Sequence, residues 1–159
     1  MGSWIPTSNS LFKKSQKNDW DYPEPFVLSV VAKPEDVDAY GHVNNVVYIK
    51  WLEACAWAHS AAVGLSESRC LEMARGMAVR AIHVEYLAAA YEGDEILVGN
   101  WIAANDGRLR VTRRYQLLNQ HTGITVMRGD VDFVCLNLSS GRPARQPPEF
   151  VDGYSVALT

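Results

Sequence analysis

The chain has 159 residues, 48% of them hydrophobic and 21% charged, with a net charge of −3 and a pI near 5.8. That size and balance suit one globular domain with a sizeable core. They exclude a general nucleic-acid binder, which carries a basic excess, and no apolar run approaches the ~20 residues that span a bilayer.

Residues 1–24 are polar and broken by Pro6 and Pro23, with Pro25 just beyond. They are expected to form an extended arm, with Trp4 and Trp20 free to pack on the body or on a partner chain. The opening "MGSWIPTSNSLFKK" lacks the apolar core of a signal peptide. Pro6 stands where a myristoylation signal needs Ser or Thr. The three cysteines, Cys55, Cys70 and Cys135, form no disulfide framework and no CxxC metal pattern. Reduced, buried thiols and a cytoplasmic location are the expectation.

"PFVLSVVAK" (25–33) is β-branched, aromatic and bounded by prolines, which predicts a strand. "NVVYIKWLEACAWAHSAAV" (45–63) runs without Gly or Pro until Gly64, which predicts a long helix. It carries five alanines, which permit close approach of a sheet. Lys50, Glu53, Trp57 and Ser60 follow helical spacing and predict one polar stripe on an otherwise buried helix. "SESRCLEMAR" (66–75) predicts a short helix with Ser66 as N-cap. Four strands follow, over 77–91, 94–104, 108–119 and 124–138. Short links, with Asn105-Asp106-Gly107 the strongest turn signal, make them an antiparallel meander. Leu109, Val111, Arg113, Tyr115 and Leu117 alternate with polar residues, and Arg113 breaks the apolar rule. The proline-rich tail, 141–159, is expected to be irregular. One apolar helix and one long antiparallel sheet must bury each other, so the sheet curls around the helix. Exposed sheet edges favour pairing with a second copy.

Between the first strand and the helix lies "DVDAYGHVNN" (36–45). Taken singly, Asp38 is a turn former or cap, His42 a structural histidine, and Asn44 and Asn45 are caps, while Asp36 is a solvated loop charge. Taken together, a carboxylate, a histidine and the unpaired N–H groups of a helix start converge at one place. A carboxylate beside backbone donors is a minimal acyl-transfer site. Gly41 permits close backbone approach by a ligand. The chain carries no GxSxG elbow, P-loop, HExxH or dinucleotide fingerprint.

"DVDAYGHVNNVVYIKWLEA" resembles the helix start of hotdog-fold acyl-CoA thioesterases of the 4-hydroxybenzoyl-CoA thioesterase-like group. "IHVEYLAAAYEGDEI" (82–96) resembles that group's second-to-third-strand passage. The resemblance spans residues 25–140 and leaves the arm and the tail uncovered. It implies an α+β hotdog fold, with a β-α-β-β-β-β order and a long antiparallel sheet wrapped around one central helix. It also implies hydrolysis of an acyl-CoA thioester, without a metal or cofactor, in a homodimer or dimer of dimers. By position, Asp38 matches the catalytic carboxylate, Asn45 the residue whose N–H polarises the thioester carbonyl, and His42 the histidine of the HVNN variant. Plant acyl-carrier-protein thioesterases share that histidine but have Asn where this chain has Tyr40.

Asp38 has two candidate roles, nucleophile or general base. Positive partial charge at a helix start favours an ionised carboxylate, which suits attack better than proton abstraction. The family site lies at a subunit interface, where His83 and Glu85 are candidates to complete it. "GRLRVTRR" (107–114) supplies Arg108 and Arg110 for the phosphates of coenzyme A, since the guanidinium fork matches phosphate. Tyr48, Trp51 and Cys55 are candidate lining for the acyl group. The alternatives are an acyl-carrier-protein thioesterase, a hotdog hydratase or dehydratase, and a non-catalytic acyl-CoA-binding module. Asp38 and His42 lack the Asn-Pro that hydratases place between those positions, which argues against hydration.

Overall fold

The computed structural model describes residues 20–158, so Trp4 and most of the arm lie outside the described residues. Five strands make one antiparallel sheet: β1 (Phe26–Val31), β2 (Arg75–Tyr86), β3 (Glu95–Asn105), β4 (Arg110–Asn119) and β5 (Thr125–Asn137). Their spatial order is β1-β3-β4-β5-β2, which makes β1 and β2 the edges. The long helix α1 (Asn45–Ala62) lies in the concave face of this sheet, and the short α2 (Glu67–Met73) follows it. This is the hotdog arrangement that the resemblance implied, with β2 paired to β5 rather than to β3 as the expected four-strand meander would have it.

Local chemistry sets the helix ends. The Asn44 side chain accepts the Val46 N–H and caps α1. Gly64 takes φ +85 just past the far end, a conformation that favours glycine. Ser66 caps α2 by accepting the Arg69 N–H. Along α1, Val47, Tyr48, Trp51, Leu52, Cys55 and Ala56 are buried. Their i, i+3, i+4 spacing forms one stripe, and together with Val43 and Ala90 most of it packs on the inward residues Val98, Tyr115, Leu117, Met127 and Val131. All three cysteines are free and buried.

A second, smaller core closes the C-terminal end of α1. Leu65, Cys70, Ile102, Val111 and Cys135 meet Phe150 and Tyr154 there. Those two aromatics belong to the tail, which is not irregular throughout. Residues Pro148–Gly153 form a short helix, α3. Pro147 and Pro148 pre-set the extended-then-helical entry, and burial of Phe150, 0% exposed, holds the segment down.

The start of the described chain crosses the convex face of the sheet. The Trp20 ring covers Gly99, where any Cβ would collide with it. The Trp101 indole N–H donates to the Pro23 carbonyl at 2.9 Å, and Asp21 pairs with Arg128 at 2.6 Å. From Trp20 onward the arm bends, with Glu24 at φ 53, and packs on its own chain. At the other edge, β2 keeps one free side, with Val79 at 52%, Ile82 at 41% and Tyr86 at 44% exposure.

Candidate active site

The stretch 36–45 folds into a closed loop. Val37 and Val43 form an isolated antiparallel bridge. Within it, the Asp38 N–H donates to the His42 carbonyl at 2.9 Å and the Gly41 N–H to the Asp38 carbonyl at 3.0 Å. Gly41 sits at φ +80, with open space around the position of a Cβ. Val43, 2% exposed, anchors the loop in the core, and its N–H donates to the Ala90 carbonyl at 2.8 Å. Asp36 is part of this framework rather than a solvated charge. Its carboxylate accepts the Lys33 N–H at 2.9 Å, and its carbonyl accepts the Asn44 N–H at 2.8 Å.

The Asp38 carboxylate is half-buried and is held by one oxygen. Oδ1 accepts the Tyr40 N–H at 2.9 Å, while Oδ2 has no partner among the described residues. Tyr40 itself is 88% exposed, so its backbone serves the loop while its side chain stands in solvent. His42 is exposed, its ring set edge-on to Tyr91 at 5.3 Å between centroids. No hydrogen bond joins the His42 ring to the Asp38 carboxylate.

At the helix start the Val46 and Val47 N–H groups are taken by Asn44, at 3.0 Å and 2.9 Å. The Asn45 N–H has no partner among the described residues. It is an orphan donor at the positive end of an 18-residue helix, placed to bind a carbonyl oxygen. Sequence reasoning missed Tyr86, whose hydroxyl donates to the Asn45 carbonyl at 2.8 Å. That bond ties the end of β2 to the helix start, and no sequence motif points to it.

A cavity of about 450 Å³ begins one turn into α1, at Ile49, and runs along the helix to Ser60. At ~1.5 Å per residue that path is roughly 16 Å long. Leu52, Ala56, Trp57, Val131 and Phe133 give it a mainly apolar lining, and its size suits a small-molecule ligand. Tyr48, Trp51 and Cys55 are not among its walls. Their helical phase turns them into the core, where the Tyr48 hydroxyl accepts the Ala90 N–H at 3.0 Å. Burial raises the Cys55 thiol pKa to about 12, so it stays protonated.

The far end of the cavity is polar. Arg113, 3% exposed, reaches Ser60, 5% exposed, at 3.0 Å, so the polar stripe predicted on α1 ends in a buried serine. Arg113 projects inward because β4 alternates strictly and its neighbours Val111 and Tyr115 also face the helix.

Other predicted residues lie elsewhere. His83 and Glu85 alternate with Ile82 and Val84, which face inward, so they project to the convex face. There they border a depression with Arg114, Arg128 and Asp130, away from α1. Arg108 and Arg110 are exposed on the β3–β4 hairpin. The Asp106 carboxylate holds that turn by accepting the Arg108, Leu109 and Arg110 N–H groups at 2.8, 2.8 and 2.9 Å. Backbone donation, that of Arg110 foremost, keeps Asp106 below the usual carboxylate range. The hairpin sits at the C-terminal end of α1, beside Val111 and Leu65, while Asp38 sits at the other end. Among the described residues no cluster of His, Cys, Asp and Glu could hold a metal ion. No helix among them is long and apolar enough to cross a membrane.

A long antiparallel sheet wrapped around one central helix defines a hotdog-fold protein. The chain belongs to the thioesterase-like superfamily, whose family model matches residues 32–153. Similar solved structures include a 1,4-dihydroxy-2-naphthoyl-CoA thioesterase from Synechocystis. It is 17% identical with a TM-score of 0.74, covering 82% of this chain and 96% of that one. A Staphylococcus aureus protein in complex with CoA is 19% identical with a TM-score of 0.76, covering 84% of each chain. A DHNA-CoA thioesterase, also from Staphylococcus aureus, is 19% identical with a TM-score of 0.74, covering 80% of this chain and 87% of that one. At these identities the likeness is one of fold. No curated protein matched the sequence.

Proposed function

We propose that the protein hydrolyses an acyl-CoA thioester to free acid and coenzyme A at the loop 38–45. One observation carries this reading: the unpaired Asn45 N–H stands at the start of the 18-residue α1, on the same loop that fixes Asp38 by Oδ1 and leaves Oδ2 open. An oxyanion donor and a reactive carboxylate oxygen are the two parts that thioester hydrolysis requires.

In the nucleophilic route, Asp38 Oδ2 attacks the carbonyl carbon and the developing oxyanion is received by the Asn45 N–H. The C–S bond breaks, and coenzyme A leaves as a thiolate that takes a proton from water. A mixed anhydride remains on Asp38. Water cleaves it, releasing the acid and restoring the carboxylate. In the general-base route, Asp38 takes a proton from the attacking water and passes it to the departing thiolate. A carboxylate tethered at one oxygen and open at the other supports direct attack. His42, exposed and set edge-on to Tyr91, serves as a proton carrier to solvent in either route. Both routes balance with water as the second substrate, and neither calls for a metal or cofactor.

Gly41 leaves the backbone open to the ligand, and the cavity beginning at Ile49 takes the acyl group. Arg108 and Arg110 are assigned to the phosphates of coenzyme A, and they lie at the opposite end of α1 from Asp38. Antiparallel pairing of two free β2 edges reverses one helix against the other. It carries the partner's hairpin toward the Asp38 loop, so this reading includes a homodimer. The CoA bound to the Staphylococcus aureus neighbour supports coenzyme A over a carrier protein as the leaving group.

Thiol release measured over a panel of acyl-CoAs, with Asp38→Asn as control, tests the proposal. Turnover of at least one thioester that the variant loses is expected. No turnover on any thioester, or full turnover by the variant, overturns it.

A further inference from the structure

Arg113 takes no part in the chemistry above, yet it is a full charge placed inside the protein. Its Nη1 donates to His59 Nδ1 at 2.7 Å and lies 3.4 Å from Asn100 Oδ1. Its Nη2 donates to Ser60 Oγ at 3.0 Å. The rings of Tyr154 and Phe133 lie 5.1 Å and 5.7 Å from the guanidinium carbon. Each of these partners is neutral. His59 is no exception, since burial, with Arg113 beside it, lowers its pKa to about 4. The Asn100 amide N–H also donates to His59 Nδ1 at 3.0 Å, which leaves the ring proton on Nε2.

No carboxylate among the described residues lies within ion-pair distance of Arg113; the four ion pairs found join other residues. A guanidinium carries five N–H groups. The contacts above use three, and the Tyr154 hydroxyl also bonds to the guanidinium, which leaves the fork with a spare N–H and no anion beside it among the described residues. Burying an unpaired cation is expensive, and native proteins normally supply the missing anion. The C-terminal end of α1 supplies part of it, equivalent to roughly half a charge. Glu53 is the one acid lining the same cavity. It is exposed on the outer wall and lies seven residues before Ser60, about 10 Å along the helix.

We propose that Arg113 receives a carboxylate carried by the acyl group, so that the preferred substrate is the mono-thioester of a dicarboxylic acid. This rests on the thioesterase reading given above. The cavity runs toward Arg113 from Ile49, one turn inside the helix start, with mainly apolar walls between. The guanidinium fork matches a carboxylate in two parallel bonds. The Ser60–Tyr154 pair, 2.8 Å apart, adds to this. One hydroxyl proton closes that pair, and the other remains for an acceptor. A phosphate dianion would face a single cation and be under-neutralised. A plain methyl terminus would leave the buried cation without an anion.

Matched CoA thioesters that differ only at the chain end test this: adipoyl against hexanoyl, sebacoyl against decanoyl, and tetradecanedioyl against myristoyl. At one length or more, the carboxylate-ended member should be favoured at least tenfold in kcat/KM. Arg113→Met should abolish that preference and Arg113→Lys should restore part of it. Tyr154→Phe keeps the ring and is the variant to use if Arg113→Met fails to fold. It should reduce the preference several-fold through KM. A wild-type preference for the methyl-ended member at every length overturns the proposal, as does an unchanged ratio in Arg113→Met.

If no thioester turns over, the hydrolase reading fails by itself, and binding decides the Arg113 site. Sodium decanoate should then raise the melting temperature of the wild-type chain, with Tyr154→Phe reducing the shift, and decanol should not. Equal effects of decanoate and decanol overturn the site. A decanoate shift alongside flat acyl-CoA ratios assigns the site to a free fatty acid and overturns the substrate assignment.

Discussion

Asp38 does two jobs that substitution can separate, since its Oδ1 closes the loop while its charge and Oδ2 are assigned to the reaction. Asp38→Asn keeps an oxygen for the Tyr40 N–H, so the turn survives and stability should change by no more than about 0.5 kcal/mol. Asp38→Ala removes that acceptor. Tyr40 is 88% exposed, so water replaces the lost bond and the cost should be about 1 kcal/mol. Both variants remove the reactive carboxylate, and kcat should fall by about 10²–10⁴-fold, equivalent to ~3–5 kcal/mol of transition-state stabilisation. The two variants should thus differ in urea midpoint and agree in kcat. Intact-mass spectrometry at single turnover in ¹⁸O-water then separates the two routes. The nucleophilic route predicts an acylated chain or label in Asp38, and a chain that never carries either leaves the general-base route. Asp38→Asn retaining more than about a tenth of wild-type kcat would refute the assignment itself.

Three further outcomes are expected. Phe150→Ala should cost about 3–5 kcal/mol, because the ring is 0% exposed and its loss opens a cavity in the second core; a urea-melt cost below about 1 kcal/mol would show that α3 is not part of the folded unit. The His59 pKa is depressed from 6.5 to about 4 in the folded state, so between these values the unfolded chain binds more protons. Stability should therefore rise with pH across that window and be lost as pH falls from 6.5 toward 4, by about 1–2 kcal/mol once partial exposure of the ring is discounted; His59→Gln should flatten that slope in melts taken across the window. Arg108→Ala with Arg110→Ala should raise KM for acyl-CoA several-fold and leave kcat nearly unchanged, and an unaltered KM removes the phosphate assignment.

The elements were legible because each carries its own local signal. The helix 45–62 is bounded by Asn44 and Gly64, whose chemistry works without tertiary help. The Asp106 turn announces its hairpin in the same way. The loop 36–45 was legible as a unit, but the separate parts of its residues were not. Asp36 meets the Lys33 N–H in a local cap three residues back, but it meets the Asn44 N–H only because the fold brings both ends of the loop together, which no spacing rule encodes. The tail helix was missed because three prolines precede or open it, and what makes it ordered is Phe150 meeting Leu65 and Cys135 across the chain. His83 and Glu85 project to the convex face because a strand's phase relative to the helix is set by its register with β5, not by its own letters. Arg113 had a visible signature, a cation at an inward position of an alternating strand. Its meaning needed Ser60, His59, Asn100 and Tyr154, which come from three other parts of the chain.

The two ends of α1 are asymmetric in a way that bears on the substrate. At the N-terminal end the helix offers a free amide, an adequate donor for a neutral carbonyl that becomes an oxyanion only in transit. That end therefore gains its strongest interaction during the reaction, which raises kcat rather than ground-state affinity. At the C-terminal end the helix's own partial negative charge meets a buried guanidinium with no anion beside it among the described residues. A standing cation stabilises a standing anion, and it does so equally in ground and transition state. Such an interaction governs which acyl groups are held and leaves the chemical step alone. On the proposed reading the same helix separates catalysis from selection. Variants at Arg113 should move KM and the ratio between substrates, while those at Asp38 should move kcat for every substrate alike. A variant at Arg113 that lowered kcat for carboxylate-ended and methyl-ended thioesters by the same factor, with KM unmoved, would show that the two ends are not separable.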